Sequence, residues 1–150
     1  MDMAGCCRDK NRFAGEFCVT FPASTAFYAS LLALIYAGLS AWVVAGRLSS
    51  NVLHGDGGDS ALLKRIRSHG NFAEYVPLTL LLIALLEANG AGYALVQTLL
   101  IVLVIARLLH PVGMLAPMNS VQQYACRGGG MVATFLVMVV AAIMLLIRVS

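Results

Sequence analysis

The hydrophobic positions fall into long blocks separated by short polar stretches. From Phe17 to Gly46 no side chain is charged. A helix needs about 20 apolar residues to cross the hydrocarbon layer, so this block predicts a first span at Ser24–Val44. A polar loop from Arg47 to Asp59 follows, and its His54-Gly-Asp-Gly-Gly-Asp59 centre has turn chemistry. Asp59 or Ser60 can cap a helix that starts at Ala61. That helix opens polar, with Lys64, Arg65, Arg67, His69, Asn71 and Glu74, and is apolar from Tyr75 to Leu86. The apolar part alone is too short to span. The helix crosses only with Asn71 and Glu74 at or just below the membrane surface. After the connector Glu87–Gly92, a third span is expected at Tyr93–Leu109. A loop is expected at 110–130, with Pro111, Pro117 and Gly128-Gly-Gly130 as its breakers. A fourth span is expected at Met131–Ile147, closed by Arg148.

Composition agrees with a bilayer. Of the 150 residues 60% are hydrophobic and 11% charged, whereas a soluble domain carries roughly 25% charge. One water-surrounded core cannot hide so much apolar surface. The expected fold class is therefore an all-α integral membrane protein, a bundle of four transmembrane helices, with residues 21–150 as one domain. Residues 1–20, with Arg8, Lys10 and Arg12, read as a mobile tail and not as a secretory signal. The net charge of +3 and the scattered basic residues do not suggest nucleic acid. Cys6, Cys7, Cys18 and Cys126 form no C-x-x-C and no metal-ligand set, so no metal is expected. Cys6 or Cys7 beside a membrane could instead carry an acyl chain. Arg47, Lys64, Arg65, Arg67, Arg107 and Arg127 lie on the side of the 47–60 and 110–130 loops, in them or at the adjoining helix ends. They outnumber the basic residues at the termini, so the positive-inside rule puts these loops in the cytoplasm.

One constellation carries candidate chemistry. At 100° per residue, Arg67, Asn71 and Glu74 fall within about 60° on one helix face, and His69 points almost oppositely. A carboxylate at membrane depth costs about 2.5–3.5 kcal/mol and calls for a cation, with Arg67, Arg107 and Arg127 as candidates. Two interpretations follow. One is a structural ion pair with an amide bridge between helices. The other is a pocket with cations for ligand carboxylates, a carboxylate for a ligand ammonium and an amide to orient it. His54 reads as a solvated loop residue. His110 reads as a helix-end side chain or a ligand contact. The triple glycine lacks the spacing of a phosphate loop.

The run Arg67-Ser-His-Gly-Asn71-Phe-Ala-Glu74-Tyr75-Val-Pro77 resembles the R-x-x-x-N-x-x-E-[YN]-x-P signature of the MAPEG superfamily, the membrane-associated proteins of eicosanoid and glutathione metabolism. The likeness continues through Leu80–Gly90, Ala106-Arg107-Leu-Leu-His110 and Arg127, over about residues 25–147. It implies a homotrimer that holds glutathione as co-substrate between neighbouring subunits. Arg67, Asn71, Glu74 and Tyr75 would then bind glutathione from one subunit. His69, with Arg47 beside it, would reach the adjacent subunit's site, and His110 would be a further contact. Arg127 matches the arginine that stabilises the glutathione thiolate in family enzymes, with Arg107 as the alternative. Family members of the eicosanoid type carry tyrosines after the third span. Here His110 and Met114 stand in that place, which argues against leukotriene synthesis. The implied activity is a membrane-bound glutathione transferase or peroxidase acting on hydrophobic electrophiles or lipid hydroperoxides. The alternative is a non-catalytic lipid-binding or scaffold protein on the same bundle. The implied setting is a bacterial inner membrane or a eukaryotic endomembrane.

Overall fold

Each apolar block becomes one helix in the computed structural model, which describes residues 20–150. The expected N-terminal tail, apart from Thr20, and Cys6, Cys7 and Cys18 lie outside the described residues. Helix α1 covers Ala23–Ser50, α2 Ser60–Ala88, α3 Tyr93–Leu115 and α4 Gly129–Val149. All four are long and apolar enough to cross a membrane, counting the turn that leads into α4. The Asp59 carboxylate caps α2 by accepting from the Ala61 and Leu62 amides at 2.8 and 3.3 Å. Helix α1 ends at Asn51, which takes the left-handed conformation (φ 52°) that asparagine tolerates better than most residues.

The expected loop at 110–130 is much shorter in the structure. Helix α3 runs on through Pro111 to Leu115, and helical structure resumes at Val121. A π-helical segment, Gln123–Gly128, then leads without a break into α4. Proline and glycine are weaker breakers inside a membrane bundle, where neighbouring helices satisfy or cover the freed backbone. Gly113 and Gly130 serve packing, whereas a Cβ on Gly128 or Gly129 would meet nothing within 4 Å. A Cβ on Gly130 would come within 2.8 Å of the Ala106 carbonyl oxygen, and one on Gly113 within 2.8 Å of the Arg127 Cα. At both positions backbone meets backbone, so α3 and the fourth helical segment approach as closely as glycine allows.

Helices α2 and α3 are the inner pair. Each packs on the other, on α1 and on α4. The core they share with α1 and α4 is apolar, with Phe72, Val76, Ile83, Leu86, Leu100 and Leu103 buried. Phe27, Leu34, Leu136 and Ile147 face outward and are exposed, as expected of side chains whose solvent is lipid.

The end of the bundle near the termini is closed by a contact the sequence did not announce. Glu87, in the last turn of α2, accepts from the Ser24 amide at 2.9 Å, the Thr25 amide at 2.8 Å and the Thr25 hydroxyl at 2.6 Å. Pro22, at the cap position of α1, makes no side-chain capping bond. A carboxylate from another helix therefore caps α1. Thr20 adds a backbone bond to Ala88, and Arg148 reaches the Asn89 carbonyl at 3.2 Å.

Candidate functional site

The polar face of α2 lies beside α4, and two contacts fix how they align. The Asn71 side-chain amide meets the Met131 sulfur at 3.1 Å, 60 positions further along the chain. One turn on, the Tyr75 ring packs against Phe135 with centroids 5.0 Å apart. Both helices run away from the loops, so they are parallel and the same offset repeats. One turn back stand Arg67 on α2 and Arg127 in the π-helical segment, where the α-helical offset no longer holds. Both are exposed, as is Glu74 on the same side of α2, and Tyr75 is half-buried. Arg67, Glu74, Asn71 and Tyr75 thus outline a candidate cleft on the α4 side of α2.

Arg107 lies behind this cleft, and its surroundings differ. It is 1% exposed, the largest fully buried side chain described. Its Nη1 donates to Asn71 Oδ1 at 2.7 Å, and its Nη2 donates to the Gly130 carbonyl at 3.0 Å and the Thr134 hydroxyl at 2.5 Å. Its Nε has no partner among the described residues. One guanidinium thus ties α2, α3 and α4 together through neutral acceptors. Among the described residues no carboxylate is bonded to it. His110, one turn along α3, is also buried and lies beside Gly130 within electrostatic reach of Arg107 and Arg127.

The remaining candidates lie elsewhere. His69 turns to the other side of α2, where its Nε2 is 3.0 Å from the Ser40 hydroxyl of α1. Its ring stacks on Tyr36 at 4.6 Å, and Tyr36 stacks in turn on Phe72. Within this chain His69 belongs to the α1–α2 seam and not to the cleft. Arg47 is engaged by its own loop, where its Nη1 donates to the Leu53 and Gly55 carbonyls at 3.1 and 3.0 Å. Gln123, Tyr124 and Arg127 line a small depression at the loop surface. A more apolar groove of similar size, about 370 Å³, runs between α1 and α2 along Leu32, Tyr36, Phe72 and Val76. Among the described residues no cluster of His, Cys, Asp or Glu could hold a metal ion.

The amide bridge between helices was one of the two interpretations, but that Arg107 and not Arg67 or Arg127 makes it was not legible, because α3 is apolar nearly all round. Such a helix shows no preferred inward face, so its rotation was not legible. The one signal available was a lone arginine in an otherwise uncharged block, with a polar Thr134 on the fourth helix to receive it.

A four-helix, multi-pass membrane bundle with a guanidinium–carboxylate face on its second helix is the class these features define. The chain belongs to the MAPEG family, which it matches over residues 25–147. It is 43% identical over 89 residues to the inner membrane protein YecN of Escherichia coli K12, a stretch covering 59% of this chain and 68% of that protein. YecN of Escherichia coli O6:H1 aligns equally well. No solved structure gives a significant match.

Proposed function

We propose that the protein is a membrane-bound glutathione transferase or peroxidase working as a homotrimer. The observation that carries this is the polar side of α2, with Arg67 and Glu74 exposed and Asn71 and Tyr75 held against Met131 and Phe135 of α4. Glutathione has two carboxylates, an ammonium and a thiol. Arg67 suits a carboxylate, Glu74 the ammonium, and Asn71 and Tyr75 the peptide groups between them. Arg127 remains for the thiol. Arg107, enclosed and with both terminal nitrogens engaged, is poorly placed to touch a ligand.

The chemistry follows from charge. A thiol of pKa about 8.5 is mostly protonated at neutral pH, and only its thiolate is a good nucleophile. A guanidinium within hydrogen-bond reach favours the thiolate. The sulfur then forms a bond to an electrophilic carbon arriving from the lipid, and a halide or similar group leaves with the bonding electrons. With a hydroperoxide the sulfur attacks the distal oxygen as the O–O bond breaks, releasing the alcohol and leaving a glutathione sulfenic acid, which a second glutathione reduces to the disulfide and water. The cleft opens outward in one subunit, so a second copy would complete its wall and exclude water. The apolar groove between α1 and α2 favours a second reading, in which the protein only holds a lipid.

The experiment is glutathione titration of the detergent-solubilised protein by calorimetry, followed by conjugation to a simple activated aryl halide. Binding with turnover supports the transferase. Binding of lipid with neither glutathione affinity nor conjugation would favour the second reading. A monodisperse monomer that still binds glutathione would remove the trimer.

A further inference from the structure

Asn71 is the one member of the cleft whose hydrogen-bonding sense is dictated from behind. An amide side chain has a carbonyl oxygen that accepts and a nitrogen that donates, and either end can face a ligand. A guanidinium has donors only. The Arg107 Nη1, 2.7 Å from the Asn71 side chain, therefore requires the carbonyl oxygen on its own side. The amide nitrogen is turned to the α4 side, where it meets only the thioether of Met131 at 3.1 Å. A thioether is a weak acceptor, so that nitrogen is under-used. Arg107 cannot readily swing away to release the amide. It is buried, and its Nη2 is held by Gly130 and Thr134 of α4.

We propose that Arg107 is a positioning residue that locks Asn71 as a hydrogen-bond donor to the cleft, so that the site selects a carboxylate or carbonyl oxygen at this point of the ligand. The inference rests on the glutathione reading of the cleft. It adds that the group of glutathione lying over Asn71 is an acceptor, and that a residue outside the cleft imposes this. A second element strengthens the selection. Arg107 is surrounded by neutral acceptors, so its charge is not cancelled by a carboxylate bonded to it among the described residues. In a medium of low dielectric that charge acts over a longer range than in water, and it too favours an oxygen bearing negative charge.

The discriminating variant is Asn71→Asp, which is nearly isosteric. It keeps an acceptor for Arg107 and removes the donor facing the cleft. It also gives the buried guanidinium a counter-charge, so the fold should be at least as stable as the wild type. Glutathione binding to the trimer, by calorimetry in detergent, should weaken about ten- to a hundredfold, the range for losing one hydrogen bond to a charged group. The thermal midpoint should stay level or rise. A purely structural tie predicts the same midpoint with unchanged affinity, so unchanged affinity would overturn the proposal. A lower midpoint would overturn it too, because a carboxylate in that place destabilises only if Arg107 does not face it. As a second variant, Arg107→Lys retains one donor for the Asn71 oxygen and gives up the bonds to α4. It should lose stability yet keep glutathione affinity within a few-fold, whereas Arg107→Met should lose both. If Arg107→Met that is still folded binds glutathione as the wild type does, the lock is wrong. Failure of the wild type itself to bind glutathione would overturn the cleft reading and this proposal together. Binding by the wild type with unchanged affinity in Asn71→Asp would overturn this proposal alone.

Discussion

Replacing Glu87 by alanine removes a cap that reaches from one helix to the start of another. The carboxylate accepts from two backbone amides and one hydroxyl, all at 2.6–2.9 Å. Loss of an ordinary N-cap costs about 0.5–2 kcal/mol, and a hydrogen bond to a charged group contributes about 1.5–3 kcal/mol. The three bonds are not equivalent. Ser24 is half-buried, so water can replace part of its bond, whereas Thr25 is 4% exposed and keeps two unmet donors. Counting both Thr25 bonds at full value and Ser24 at little gives a loss of about 3–6 kcal/mol for Glu87→Ala. Glu87→Gln keeps one accepting oxygen but turns a donor toward the helix, and should lose roughly half as much. The assay is reversible unfolding of the purified protein in mixed micelles by titration with a denaturing detergent, followed by helical circular dichroism. If Glu87→Ala stays within about 0.5 kcal/mol of the wild type, the cap is not a stabilising contact and the reasoning fails.

Other expectations can be checked with similar means. Gly130→Ala and Gly113→Ala push backbone against backbone and should each cost about 1–3 kcal/mol, with Gly38→Ala, where a Cβ meets nothing, as the neutral control in the same unfolding assay. The Asp59 carboxyl is held below its usual range, first by the Ser50 hydroxyl and then by the Ala61 and Leu62 amides. Its folded value is the lower one, so its support for the start of α2 is complete above about pH 4 and is lost as pH falls through the folded value. Amide exchange at Ala61 and Leu62 should quicken over that acid range in the wild type and show no such step in Asp59→Asn. Arg67→Ala or Glu74→Ala should weaken glutathione binding by roughly 2–5 kcal/mol in calorimetry, while folding is kept because both side chains are exposed. Arg127→Ala should lower turnover more than affinity and raise the pKa of the bound thiol, and Arg127→Lys should restore part of the rate. An unshifted thiol titration in Arg127→Ala would remove that arginine from the chemistry.

The helices were legible because span length and charge spacing are one-dimensional properties. Asp59 could be named as a cap from its place before an apolar run. The continuation of α3 past Pro111 was not legible, since proline and three glycines read as breakers when the helix that covers them is unknown. The division of α2 into two faces follows from an angle, and it separates Asn71 from His69 in the structure. The partners of those faces do not follow from it. That Asn71 meets Arg107, and that Glu87 serves α1, depends on side chains 36 and more than 60 positions away. Local pattern carries no information about such pairs.

The borrowed cap also constrains how the chain enters a membrane. The amides at the start of α1 emerge from the ribosome long before the carboxylate that will satisfy them, which lies 62 positions beyond Thr25. Until α2 has been made, those donors depend on water or lipid headgroups, and they cannot be drawn into hydrocarbon without cost. The first helix is therefore best inserted as one half of a hairpin, with Glu87 closing it as the second half arrives. A ribosome stalled before Glu87 would hold a first helix that is apolar enough to enter but has its leading end still open.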